Sequence, residues 1–345
     1  MLTKEAVLKA LSTVLDPDLR VDLVTLKMIE DLEVDGDTAS FSIVLTTPAC
    51  PLRGQIEKDA RRAVQTMAGA KEVRINTISR VQSPKSVDID TNHFNHVIAV
   101  GSGKGGVGKS TVAVALATRL AAQGAKVGLL DADIYGPNIP RMLGIDRLPE
   151  GDGPKIRTAE VMGMKVVSIG FLVQDGQPLI WRGPMLHTAI KQFLTDFDWG
   201  DLDYFVVDLP PGTGDVQLSL AQSLPISGAV VVTTPQQVSV DDAYRAISMF
   251  DKLEVPVLGI VENMAYLEMP DGSHLHVFGE AGGEHLANRA GVPFLGRIPL
   301  DPAVAQGGDI GSPATSLNVS SATSEAYDAL TCTIAAEMSK TAFKQ

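Results

Sequence analysis

From residue 96 onward, short unbroken apolar runs alternate with longer stretches of helical spacing. The runs fall at 97–101, 126–130, 204–207, 229–233, 256–261 and 293–298. A strand apolar at nearly every residue is buried on both faces. Such runs, separated by helices, predict an α/β fold with a mostly parallel sheet covered by helices on both faces. Residues 155–169 instead alternate apolar and polar positions, the period of a β-hairpin, with Met162-Gly163-Met164 near its turn. The segment 321–340 spaces Ala326, Leu330, Ile334 and Met338 along one face of a last helix.

The first 82 residues carry a different pattern. Leu8, Leu11 and Leu15 share one side of a helix that begins at Thr3, and Asp16-Pro17 ends it. Strands are expected at 29–34 and 40–45, joined by the hairpin signal Asp35-Gly36-Asp37. A helix is expected to start near Pro51, and 72–78 reads as a final strand. The polar stretch 83–95 holds Pro84 and has no periodicity, so it reads as a linker. The expected organisation is a small α+β domain over 1–82 and a larger α/β domain over 96–345.

Composition narrows the function classes. The chain has 345 residues, 45% apolar and 20% charged, as in ordinary soluble domains. Lys plus Arg is 29 and Asp plus Glu is 41, a net charge of −12, which argues against a nonspecific grip on nucleic acid or an anionic membrane. No apolar run approaches the ~20 residues that span a bilayer. The N-terminus carries Glu5 and no continuous apolar stretch, so a signal peptide is not expected. Two distant cysteines give no disulfide framework, and a cytoplasmic location is the natural expectation.

The chemistry concentrates after the first apolar run. Residues 103–110 read GKGGVGKS and are followed by a strongly helix-forming segment. Glycines at these places let backbone N–H groups close around phosphate oxygens. Lys109 supplies charge to the terminal phosphates, and the Ser110 hydroxyl suits Mg²⁺. Gly103, Lys104, Gly105, Gly106, Val107, Gly108, Lys109, Ser110 and Thr111 are therefore the expected nucleotide contacts. Ligands of parallel α/β sheets sit at the carboxyl ends of the strands. Asp131, Asp133 and Asp208 fall there. Asp208 opens DLPPGTG, a stiff, glycine-hinged loop suited to sensing a γ-phosphate. Taken singly, each aspartate reads equally well as a solvated strand end or a helix cap.

Together GKGGVGKS, DADIYGP at 131–137, WRGPM at 181–185, DLPPGTGD at 208–215 and ENM at 262–264 resemble the Mrp/ApbC family. These are iron–sulfur cluster carrier ATPases of the deviant-Walker group, which also contains MinD, ParA and the nitrogenase iron protein. TTPACP at 46–51 is similar to the small metal–sulfur cluster assembly domain often fused to this family. The resemblance implies a P-loop NTPase fold, ATP with Mg²⁺, a homodimer, and delivery of clusters to apo iron–sulfur proteins, with assembly scaffolds as partners. It implies that Lys104 reaches across a dimer to the partner's nucleotide. It assigns Asp133 to orienting the attacking water, Asp208 to Mg²⁺, and Asn263 to the adenine base, with Arg297-Ile298-Pro299 near the base.

One departure matters. The family commonly has C-P-x-C a few residues after E-N-M, and here Met269 and Gly272 occupy the cysteine positions. Iron–sulfur clusters need thiolates. Cys50 is then the candidate ligand for a 4Fe–4S cluster, its thiolate favoured if Cys50 caps a helix that starts at Pro51. Cys332 reads as core, and His274 and His276 as surface positions. Two functions stay open: a carrier that binds clusters, or an ATP-gated adaptor in cluster assembly that binds none.

Overall fold

The computed structural model describes residues 2–17, 19–45, 52–79, 93–150, 153–171, 183–312 and 322–344. The chain divides into two compact units, Met1–Gln82 with Ala335–Gln345, and Ser83–Ile334. Ala335–Gln345, expected with the larger domain, is grouped with the small unit.

The small unit begins with α1 (Lys4–Leu11), capped by Thr3, whose hydroxyl oxygen accepts the Ala6 N–H at 3.2 Å. The helix stops at Leu11 rather than Leu15. The Ser12 and Thr13 hydroxyls bond back to the Lys9 and Ala10 carbonyls, which competes with further helix and leaves Leu15 exposed. Strands β1 (Ile29–Asp35) and β2 (Thr38–Leu45) form an antiparallel pair about a turn with Gly36 at φ +57°. The helix α2 (Arg53–Met67) then leads to β3 (Glu72–Ser79), which pairs with β2 in parallel. Phe41 and Ile43 meet Val7, Leu11, Ile56 and Val64 in one core. The N-cap of α2 is Leu52, so Cys50 precedes the cap and is not the cap itself. Cys50 and Pro51 lie outside the described residues.

The large unit opens with β4 (Phe94–Ser102), so Phe94 and Asn95 belong to a strand and not to the linker. Next come α3 (Lys109–Ala122), β5 (Val127–Asp131) and α4 (Ile139–Leu143). The expected hairpin is β6 (Ala159–Val161) and β7 (Met164–Ser168), turning at Met162 and Gly163, both at positive φ. The order continues with α5 (Gly183–Thr195), β8 (Leu202–Asp208), α6 (Asp215–Ser223), β9 (Gly228–Thr233), α7 (Gln237–Lys252) and β10 (Val257–Glu262). A short ribbon of β11 (Leu267–Glu268) and β12 (His274–Leu275) precedes α8 (Gly282–Ala290), β13 (Phe294–Arg297), α9 (Pro302–Asp309) and α10 (Ala322–Lys344).

Eight strands form one sheet in the order β13-β10-β9-β4-β8-β5-β7-β6, parallel throughout except for β6 against β7. The path from β4 to β5 runs one way across the sheet, and the paths to β8, β9, β10 and β13 run back. Right-handed crossovers therefore put α3 on one face and α5, α6, α7 and α8 on the other. The core against the latter face gathers Phe193, Phe205, Leu220, Phe250 and Leu286. On the α3 side, Arg119 is buried and reaches Ser324 and Asp328, which fixes the start of α10. Among the described residues no helix is long and apolar enough to cross a membrane.

A histidine is among the polar groups buried in this sheet. His96 of β4 is 1% exposed, faces Tyr204 of β8 at 5.6 Å between ring centroids, and its Nδ1 has no hydrogen-bond partner. Burial lowers its pKa from 6.5 to about 4. The folded chain therefore keeps this ring neutral where the unfolded chain protonates it. The stability it contributes is present above pH 6.5 and is lost as the pH falls toward 4. Between about pH 7.5 and 4.5 the wild type should lose about 2–3 kcal/mol more than His96→Leu in urea unfolding. Equal losses in the two proteins would refute this assignment.

Candidate functional site

The carboxyl ends of β4, β5, β8 and β10 frame a cavity of about 690 Å³. It lies where the chain's direction across the sheet reverses beside β4, the place where parallel sheets open a crevice. The loop between β4 and α3 forms its floor. A Cβ on Gly103 would stand 2.1 Å from the Asp242 carbonyl carbon of α7. One on Gly108, at φ +84°, would stand 2.1 Å from Asn263 Nδ2. Both positions therefore require glycine. The first turn of α3, where a helix leaves its N–H groups without partners in the helix, lines the cavity, as an anion site demands. Lys104, Gly105, Gly106, Lys109, Ser110 and Thr111 all line it.

Beneath the loop the charges are packed tightly. Lys109 Nζ donates to Asp208 Oδ1 at 2.7 Å and lies 3.4 Å from Asp133 Oδ2. Ser110 Oγ donates to Asp208 Oδ2 at 2.5 Å. Lys109, Asp133 and Asp208 are all buried. Burial raises the Asp208 pKa, and the Lys109 ammonium works against that rise. Asp131 pairs with Asp208 across neighbouring strands and is fully buried. Burial first, and then the Asp208 charge, push it up to about 7. Asp131 accepts the N–H groups of Asp133 and Ile139 and the Ser168 hydroxyl, so it shapes the loop that carries Asp133. Asp133 and Asp208 both face the one ammonium, with the Asp131 carboxyl group behind them. With the Ser110 hydroxyl and the Asp208 carboxylate as adjacent hard oxygen donors, the site fits Mg²⁺.

The remaining expected residues divide. Asn263 lines the cavity, and its Nδ2 donates to the Val107 carbonyl at 2.9 Å, so it also braces the phosphate loop. Lys104 is half-buried at the cavity edge and makes no ion pair among the described residues. Arg297 is not in the lining. It pairs with Glu262 at 3.2 Å and with Glu284, and lies over the Phe294 ring. Pro299 of the same segment does line the cavity, and with it stand Leu300, Val304, Ala305 and Tyr327. Sequence reasoning missed α9 here, although Asp301-Pro302 is a helix-start signal and Asp301 Oδ1 does accept the Ala303 N–H at 2.8 Å.

Met269 and Gly272 bracket the tight turn of the β11–β12 ribbon, where the Gly272 N–H donates to the Met269 carbonyl and Gly272 sits at φ +79°. His274 stacks on Tyr266 at 3.9 Å, and His276 meets the same ring edge-on. Both histidines are exposed, as expected. Among the described residues no group of three His, Cys, Asp or Glu side chains is placed to hold a metal ion. Cys332 is half-buried rather than core, and burial raises its thiol pKa, with Asp328 adding to the rise. Trp181 and Arg182 lie outside the described residues.

Comparison with known proteins agrees with this geometry. Residues 93–335 match the model of the NUBPL iron-transfer P-loop NTPase family, and residues 4–77 match that of an iron–sulfur cluster assembly protein. A protein of Deinococcus radiodurans named iron–sulfur cluster carrier protein is 50% identical over 338 residues, covering 97% of this chain and 95% of that one. A nucleotide-binding protein of Archaeoglobus fulgidus, solved in complex with ADP, is 40% identical, with a TM-score of 0.57 over 64% of this chain and 88% of its own. The cell-division protein MinD of Aquifex aeolicus shares the fold at 24% identity and a TM-score of 0.51, covering 68% of this chain and 95% of its own. The chain belongs to the iron-transfer P-loop NTPase family.

Proposed function

We propose that the protein is an ATP-hydrolysing homodimer that carries iron–sulfur clusters and passes them to apoproteins in a reducing, cytoplasmic setting. The observation that carries the ATPase half is the Lys109–Asp208–Ser110 contact under a glycine loop at a helix N-terminus. In the proposed cycle Lys109 leaves the carboxylates for the β- and γ-phosphates. Ser110 and Asp208 are the residues that would hold Mg²⁺, which would supply charge neutralisation to the phosphates. Asp133 orients a water, whose oxygen bonds to the γ-phosphorus as the bond to the bridging oxygen breaks. ADP and phosphate leave, and the water's proton passes out by way of Asp133. The work is positioning and charge stabilisation. Asn263 holds the base side, and Lys104 acts on the partner's nucleotide.

The cluster is cargo, and Cys50 is the thiolate proposed to bind it. A specific observation favours the second reading, an ATP-gated adaptor that holds no cluster. The positions of the family's cysteine pair are a methionine and a positive-φ glycine in a tight turn.

Lys109→Ala should abolish ATP binding or turnover. Lys104→Ala should bind ATP within about 3-fold of wild type while turnover falls at least ~100-fold, as expected for loss of a cation supplied in trans. Equal turnover of Lys104→Ala and wild type would refute the dimer mechanism. For the cargo, anaerobic reconstitution followed by iron and sulfide counting should load wild type and leave Cys50→Ser nearly empty. Equal, low loading of the two would favour the adaptor.

A further inference from the structure

The loop 208–214 is tied through its backbone to the end of β4 and to the loop after β5. The Asp208 carbonyl accepts the Ala132 N–H, Leu209 N–H donates to Val100, and Gly212 N–H donates to the Ser102 carbonyl at 2.9 Å. Gly212 has φ +97°, and Gly214 has open space on its Cβ side. Gly214 is also the N-cap of α6, whose first turn closes with the Leu218 N–H on the Gly214 carbonyl. Movement of the loop therefore moves α6.

Gln217 sits in that first turn. It is 1% exposed, and both its Oε1 and its Nε2 lack hydrogen-bond partners. Among the described residues it is the side chain whose donor and acceptor are both buried and unpaired. The amide lies beside the end of β4. A Cβ built on Gly101 would stand 3.6 Å from Gln217 Nε2 and 3.1 Å from the Phe250 ring. An apolar side chain of the same length would fill this place without the desolvation penalty of a bare amide. Buried polar groups in native proteins are paired, so a bare amide at this place asks for a physical reason.

We propose that Gln217 is a positioning residue through which the site distinguishes ATP from ADP. Its amide is unpaired in the arrangement described above. It takes up hydrogen bonds with the backbone at the end of β4 when the loop 208–214 closes on a γ-phosphate and turns α6 about Gly212 and Gly214. The inference rests on the proposed ATP cycle and adds to it the group that favours the closed state.

The test compares wild type with Gln217→Met, and with Gln217→Leu as a second variant, by calorimetric titration with Mg–ADP and with a non-hydrolysable Mg–ATP analogue. The variants should bind ADP as wild type does and lose about 10-fold in affinity for the analogue, about 1.4 kcal/mol. Without nucleotide they should melt above wild type, because the unpaired amide is gone. Equal loss for both nucleotides, no loss for either, or melting below wild type without nucleotide would each overturn the proposal. A wild type that binds neither nucleotide would overturn the ATP reading itself.

Discussion

A buried ammonium, Lys109, holds together the three segments that make the site. It joins the first turn of α3 to the end of β8 through Asp208 and to the loop after β5 through Asp133. All three groups are nearly out of solvent, so removing the ammonium would leave uncompensated buried carboxylates, a far costlier state than the pair itself. In the proposed cycle the same contact would make the site responsive. Phosphates would compete with the carboxylates for the ammonium, and a divalent cation would compensate the carboxylates it leaves. Binding of a nucleotide with its metal would then be an exchange of ion-pair partners at the segments that Lys109 ties.

Much of this was legible in the chain because the constraint is local. A buried parallel strand must be apolar along its length, and a loop that wraps phosphate must be glycine where backbone passes within contact of a neighbour. Gly103 against α7 and Gly108 against Asn263 show why those positions admit nothing larger. The acids at strand ends were visible for the same reason, since strand and acid are adjacent in sequence. What escaped depends on distant partners. The helix α9 carries two glycines and little intrinsic preference, and its place is set by the cap at Asp301 and by packing near α4. Arg297 ends the strand β13 like a site residue, but it pairs with Glu262 and Glu284 and is not in the cavity lining. Glu262 belongs to the same three-residue motif as Asn263, so one motif serves both the cavity and the ion pair beside it.

The cargo end shows the opposite balance. In the β11–β12 ribbon, Gly272 adopts a backbone conformation that side chains with a Cβ resist, and the turn is closed by its own hydrogen bond. Substituting the family's usual residue there would strain the turn, so the ribbon is built as a turn and not as an emptied ligand site. Its histidines are occupied with the Tyr266 ring, and His276 Nδ1 also meets the Ala265 carbonyl at 3.3 Å. Any thiolate chemistry is thereby displaced from this ribbon to another part of the chain.

Whatever the nucleotide site drives, the large unit offers a route by which a signal could leave it. The loop 208–214 is bonded through its main chain to β4, to the loop after β5 and to the first turn of α6. Under the proposed cycle, a change in the partner of Asp208 at one end of that loop would be carried by these bonds to α6 at the other. A helix that moves as a body needs a reason to prefer each position. A fully satisfied α6 would have one stable seat, whereas an unpaired amide beside the end of β4 would leave a second within reach. On the proposed reading, that unsatisfied amide is what would let a binding event be read as a conformational one.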